Sequence, residues 1–125
     1  MGVEEAINLS KIVEIRWHGR GGQGAKTASL LLAEAAADAG KYVQAFPEYG
    51  PERMGAPVVS YNRISDTPIT IHSAVESPGY VAVLDATFIG SIDFTAGMAS
   101  DGVLLVNTAE GAGQIKEQMN LLADT

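Results

Sequence analysis

The sequence predicts an α/β domain, Rossmann-like, with a mostly parallel sheet and flanking helices. Three observations carry this. A glycine-rich hexapeptide, Gly19-Arg20-Gly21-Gly22-Gln23-Gly24, separates a β-branched apolar run from a helix-like run. A strand, a helix and a second strand follow one another between Ile12 and Phe46, which is the pattern of a βαβ unit with parallel strands and a right-handed crossover. Two later runs, Tyr80–Leu84 and Gly102–Asn107, are almost continuously apolar, as strands covered on both faces are.

Taken in order, residues 1–11 read as a lead-in and residues 12–125 as one domain. Ile12–Trp17 is the first strand, by its β-branched residues and partial alternation. The helix runs from Gln23 to Ala39, with a buried stripe of Ala28, Leu31, Leu32, Ala35, Ala36 and Ala39. Gly40 is placed to end it. Lys41–Phe46 is the second strand. Pro47–Pro57 holds three prolines and two glycines, so it is neither a helix nor a central strand. It is long for a plain connection, and long ordered loops are often functional. Val58–Ile64 is a third strand, Ser65–Pro68 a turn, and Ile69–His72 a short strand pairing back as a hairpin. Phe88–Ala99 has no clear period. Glu110–Leu122 is a weak helix.

Composition removes several functions. At 125 residues one core is expected. With no cysteine, this chain offers no disulfide, zinc-thiolate site or thiolate-held iron–sulfur cluster. His18 and His72 are isolated, with no second ligand at metal spacing, so no metal site is expected. No apolar run reaches the roughly 18 residues of a membrane span, and the N-terminus lacks the layout of a secretory signal. A cytoplasmic home is therefore expected. The formal charge of −7 opposes nucleic-acid binding, which selects basic surfaces.

The glycine hexapeptide carries the chemistry. A glycine turn between strand and helix aims backbone N–H groups outward beside the positive end of the helix dipole, a site for phosphate or another anion. Gly19, Gly21 and Gly24 satisfy G-x-G-x-x-G. A dinucleotide also needs an acidic residue about 20 residues on, to hold a ribose. Gln44 stands near that place, and Glu48 lies beyond Pro47. The hexapeptide is also a near miss for a Walker A loop: Ala25 separates Gly24 from Lys26-Thr27, and one extra helical residue turns the lysine by roughly 100°. In a doubly wound sheet the Pro47–Pro57 loop leaves the same carboxyl edge as the glycine turn. Arg20, Gly21, Gly22, Gln23, Glu52 and Arg53 thereby join Gly19 and Gly24 as candidate contacts, arginine being suited to bidentate phosphate or carboxylate recognition. Arg53 paired with Glu52 or Glu48, and glycines serving only the turn, are the plainer readings. Asp85, at a strand end, reads as a ligand contact or as a cap of the next turn. No nucleophile–base pair is legible.

Together with Tyr49-Gly50-Pro51-Glu52-Arg53-Met54-Gly55-Ala56-Pro57, Arg63-Ile64-Ser65 and Leu84-Asp85-Ala86-Thr87, the hexapeptide resembles the gamma subunit of pyruvate (2-oxoacid):ferredoxin oxidoreductases. The resemblance implies oxidative decarboxylation of a 2-oxoacid, acyl transfer to coenzyme A and reduction of ferredoxin. It implies thiamine diphosphate and magnesium on alpha and beta subunits, and iron–sulfur clusters on delta-type and beta subunits. It also implies a gamma piece that supports assembly and contacts coenzyme A without catalytic residues of its own. Gly19 to Gly24, Glu52 and Arg53 become the expected coenzyme A or partner contacts in a hetero-oligomer. Family gamma subunits continue past position 125 with a further helix and strand. On that reading the chain is a fragment or a shortened member, and an open sheet edge favours a homodimer in isolation. A stand-alone NAD- or FAD-binding oxidoreductase is the alternative.

Overall fold

The computed structural model describes residues 12–48, 56–89 and 92–123. Among the described residues five strands form one mixed sheet: β1 Val13–Arg20, β2 Tyr42–Pro47, β3 Pro57–Ser65, β4 Tyr80–Val83 and β5 Val103–Val106, in the order β2-β3-β1-β4-β5. Two α-helices accompany them, α1 Ala25–Asp38 and α2 Ala112–Ala123, with a 3-10 turn at Ala86–Phe88. β1 pairs parallel with β4, and β4 with β5; β3 is antiparallel to both β1 and β2. Four of the five strands thus run one way, with β3 against them.

The first unit departs from the expected βαβ. β1 and β2 do share a direction, but they are not neighbours, because β3 lies between them. The chain leaves β2, turns back and inserts as the most buried strand of that half. Ser60, Tyr61, Asn62, Arg63 and Ser65 of β3 are all buried. Central strands are expected to be apolar. This one is polar and is tolerated because Asn62, Arg63 and Ser65 find partners. Asn62 accepts from Trp17 Nε1 at 2.7 Å and donates to the carbonyls of Ser29 (2.9 Å) and Gln44 (3.2 Å), joining β1, α1 and β2.

α1 lies against β2, β3 and β1. Its buried residues are Ala25, Ser29 and Ala33, spaced by four, so one narrow stripe meets the sheet. The expected stripe is rotated. Ala28, Leu32 and Ala36 are half-buried, while Ala35 and Ala39 are exposed and Leu31 is 60% exposed. The polar residue that displaced the sequence reading is Ser29, which is only 2% exposed. The helix begins at Ala25, two residues later than expected, and β1 extends to Arg20, so Gly19 and Arg20 are strand residues. Pro47 and Pro57 close and open strands rather than belonging to the loop. Residues 69–72 form no strand; the segment is tied instead by Gln44 Nε2, which donates to the Ile71 carbonyl at 2.7 Å.

The opposite face of the sheet is covered by irregular chain. Val81 and Val83 pack with Phe88 and Phe94, flanked by Ile89, Ile92, Met98, Leu104 and Val106. Two buried arginines pin these segments to the sheet. Arg16 donates to the Phe94 carbonyl at 2.8 Å. Arg63 donates to Glu14 (2.9 Å), Gln44 (3.1 Å) and the Ala74 carbonyl (3.2 Å). Among the described residues no helix is long and apolar enough to cross a membrane.

Candidate functional site

The carboxyl ends of β1 and β4 are neighbours because the two strands pair in parallel. That rim gathers the glycine turn and the residues after β4. Gly19 lies in the ladder opposite Val58, and a Cβ there would stand 3.3 Å from Gln23 Oε1 and 3.5 Å from the Cβ atoms of Ala25 and Leu84. A Cβ at this position would therefore touch α1 and the residue after β4 and press only on the Gln23 amide oxygen. Gly22 and Gly24 both take φ of 92°, in the left-handed region that glycine adopts without penalty. Gly24 is the N-cap of α1 and supplies no side-chain hydrogen bond, and the first turn has no acidic residue. An N-terminus so composed suits an anion, worth typically 0.3 to about 1 kcal/mol at an exposed site.

Not every amide of the turn faces outward. Gly21 N–H donates to the Ala56 carbonyl at 2.8 Å, Gln23 N–H to the Arg20 carbonyl at 3.0 Å, and Arg20 N–H to Gln23 Oε1 at 2.7 Å. The first of these bonds matters for the second predicted loop. Ala56 and Pro57 end the β2–β3 connection, and Pro57 pairs with Arg20 in the ladder. Glu48, at the start of that connection, donates its N–H to the Val59 carbonyl at 2.9 Å. Both flanks of the connection therefore lie on the rim of the glycine turn. Glu52 and Arg53, within it, fall outside the described residues.

Arg20 is engaged on several sides. Its Nε donates to Asp85 Oδ2 at 2.8 Å, its Nη2 to Thr87 Oγ1 at 3.0 Å, and its guanidinium carbon stands 4.1 Å from the centre of the Phe88 ring. Gln23 Nε2 donates to the same Asp85 oxygen at 2.8 Å. Thr87 gives Asp85 Oδ1 both its N–H (2.9 Å) and its hydroxyl (2.5 Å). These donors, the Thr87 pair above all, hold the Asp85 carboxyl well below the usual carboxylate range against the opposing effect of burial. Of its two expected roles Asp85 takes that of a cap, on the Ala86–Phe88 turn, and it also ties that turn to Arg20 and Gln23. The link from Arg20 to Asp85 and Thr87 spans more than 60 positions and has no local sequence signal. Only the rule that loops after parallel strands share one edge points to it.

Elsewhere, His18 is buried, receives Arg16 Nε on its Nε2 at 2.9 Å and meets the edge of the Phe94 ring at 4.9 Å. Burial, and then the Arg16 charge, lower its pKa to about 4, so it is neutral and serves the core. Among the described residues no group of three or more His, Cys, Asp or Glu side chains could hold a metal ion. A cavity of about 580 Å³ lies between β5 and α2, lined by Leu104, Val106, Thr108, Ile115 and Lys116 among others; none of the glycine-turn residues reaches it.

The antiparallel insertion of β3 bears on the dinucleotide alternative. A ribose-binding acid would have to stand at the end of the strand that follows the first helix, with that strand next to β1. Here that place is taken by the start of β3, and β2 lies two strand spacings away, roughly 10 Å. Gln44, the residue near the acidic position, spends its side chain on Arg63 and the Ile71 carbonyl.

Comparison with known proteins bears on the fold and the family. The chain is 60% identical over 100 residues to pyruvate synthase subunit PorC of Thermotoga maritima, covering 80% of this chain and 52% of that protein. It is 49% identical over 108 residues to the pyruvate/ketoisovalerate oxidoreductases common subunit gamma of Pyrococcus abyssi, covering 86% of this chain and 58% of the relative. The crystal structure of pyruvate oxidoreductase subunit PORC from Thermotoga maritima matches with a TM-score of 0.75 and 51% identity, over 88% of this chain and 57% of that one. The chain spans about half the length of these curated relatives. The model of one family, pyruvate ferredoxin/flavodoxin oxidoreductase, matches residues 14–122. With nearly all of the described sheet inside that match, the chain belongs to the pyruvate ferredoxin/flavodoxin oxidoreductase family.

Proposed function

We propose that the chain acts as the gamma component of a thiamine diphosphate-dependent pyruvate or 2-oxoacid:ferredoxin oxidoreductase of the cytoplasm. It assembles with alpha, beta and delta subunits that carry thiamine diphosphate, magnesium and iron–sulfur clusters, and the complex passes electrons to ferredoxin. The observation that carries the reading is the 60% identity to a pyruvate synthase subunit across 80% of the chain. The chain's own contribution is contact with coenzyme A and support of the assembly. The support for contact is chemical: a left-handed glycine pair, an α1 N-terminus without a side-chain cap or an acid, and an arginine at the same strand end suit a phosphate-bearing ligand. Glu52 and Arg53 belong to the same proposed contact. Alone, the chain has no turnover and associates with itself through its open sheet edge, where Leu105 is 70% exposed.

The test is a titration of the isolated chain with coenzyme A and with NADH, paired with co-purification against alpha, beta and delta subunits. A coenzyme A response and a stable complex are expected. Tight NADH binding, no coenzyme A response and no complex would overturn the proposal in favour of a stand-alone dinucleotide-binding oxidoreductase.

A further inference from the structure

The Asp85 carboxylate stands at the rim where an anion is proposed to bind, which at first sight opposes that binding. Its hydrogen bonds show a different use. Both oxygens are occupied: Oδ2 by Arg20 Nε and Gln23 Nε2, each at 2.8 Å, and Oδ1 by the Thr87 N–H at 2.9 Å and hydroxyl at 2.5 Å. Thr87 Oγ1 in turn receives Arg20 Nη2 at 3.0 Å. Arg20 is thus fixed by a carboxylate and a hydroxyl in its plane and by the Phe88 ring on its face. Gln23 is fixed at both ends of its amide, since its Oε1 accepts the Arg20 N–H at 2.7 Å. A long side chain held in one geometry before binding loses less conformational entropy on binding.

We infer that Asp85 is a positioning residue, seconded by Thr87, that sets Arg20 and Gln23 for a phosphate-bearing ligand at the glycine turn. The inference rests on the proposed coenzyme A contact. Removing the carboxylate's charge makes the rim more positive by one unit, so a residue acting only through its field would weaken anion binding in the wild type. A positioning residue does the opposite. The sign of the effect separates the two.

The variant Asp85→Asn makes the separation clean. Its amide oxygen can still take the Thr87 N–H and hydroxyl, which keeps the turn at Ala86–Phe88 capped. Its amide nitrogen then faces two donors, Arg20 Nε and Gln23 Nε2, and releases both. Coenzyme A titrated into the full chain should bind the variant roughly tenfold more weakly, as expected when two long side chains must be ordered on binding, despite the gain in positive charge. The Arg20 Nε–H resonance should be observable in the wild type, where Asp85 Oδ2 accepts it at 2.8 Å, and be lost to fast exchange in the variant. Thr87→Val, at an exposed position that leaves the charge untouched, should weaken binding by a few-fold and serves if the first variant does not fold. Equal or tighter coenzyme A binding by Asp85→Asn, or an unchanged affinity in Thr87→Val, overturns the inference alone. A wild-type chain that ignores coenzyme A overturns the functional reading and this inference with it.

Discussion

Single side chains carry an unusual share of this fold because its inner strand is polar. Asn62 is fully buried and satisfies groups on two strands and a helix. Asn62→Asp keeps the acceptor for Trp17 but loses the donor for Ser29 and Gln44, and it buries a carboxylate. The expected cost is about 3 kcal/mol near neutral pH, read from urea denaturation, and it should shrink as acid restores a proton to the new carboxyl group. Ser60 is the contrast. Among the described residues its hydroxyl is the buried side-chain oxygen with no hydrogen-bond partner. Ser60→Ala should therefore leave stability unchanged or raise it by about 1 kcal/mol, and a fall in the denaturation midpoint would show that the hydroxyl has a use. Gly97 has no such latitude. Its φ is 73°, and a Cβ there would lie 2.1 Å from the Glu76 carbonyl oxygen. Gly97→Ala should cost on the order of 3 kcal/mol, combining left-handed strain with a backbone clash, and would show as a lowered thermal midpoint.

At the scale of elements, the sequence made legible whatever is repeated in a local pattern. The glycine turn, α1 and the two parallel strands β4 and β5 follow from glycine placement and apolar runs, and each lies within a few residues of its expected bounds. What was not legible depends on long-range partners. β3 was recognised as a strand, but its central place was not, because Ser60, Asn62 and Arg63 look like surface residues until Trp17, Ser29 and Glu14 are brought to them. The α1 stripe was misplaced for a related reason: Ser29 reads as polar in a window, yet it faces the sheet, with its carbonyl receiving Asn62. The candidate site divides the same way. Spacing singled out Gly19 to Gly24 and a strand end singled out Asp85, whereas the bonds of Asp85 and Thr87 to Arg20 needed the parallel register of β1 with β4. Arg63, quoted in the sequence resemblance, proves to be a clamp: three of its donors tie β1, β2 and the segment around Ala74 together at 2% exposure. Arg63→Met should cost several kcal/mol, because it leaves Glu14 and the Ala74 carbonyl without their partner, and Arg63→Lys should recover only part of that, since one ammonium cannot span three directions.

For the whole molecule, the two kinds of shifted group divide the pH dependence of stability into separate windows. His18 titrates near 4 in the folded chain against 6.5 as a free side chain. Between those values the unfolded chain binds the extra proton, so stability falls as pH drops from 6.5 towards 4. Full loss across that span amounts to roughly 3 kcal/mol. The physical cause is burial beneath Phe94 with the Arg16 guanidinium against the ring nitrogen; a protonated imidazole would meet that cation with a donor in place of an acceptor. Asp85 and Asp93 act lower. Both are held below the ordinary carboxylate range, chiefly by the hydroxyl and N–H of Thr87 and of Thr95. Their contribution is complete above about pH 4 and is lost only as pH falls further. A urea series from pH 7 to 3 should therefore show one decline from about pH 6.5 and a second below about 4. His18→Gln offers Arg16 Nε a neutral oxygen acceptor and cannot take up the proton, so it should flatten the first decline and leave the second in place. A first decline that persists in that variant would assign the acid sensitivity to another group and remove His18 from the account.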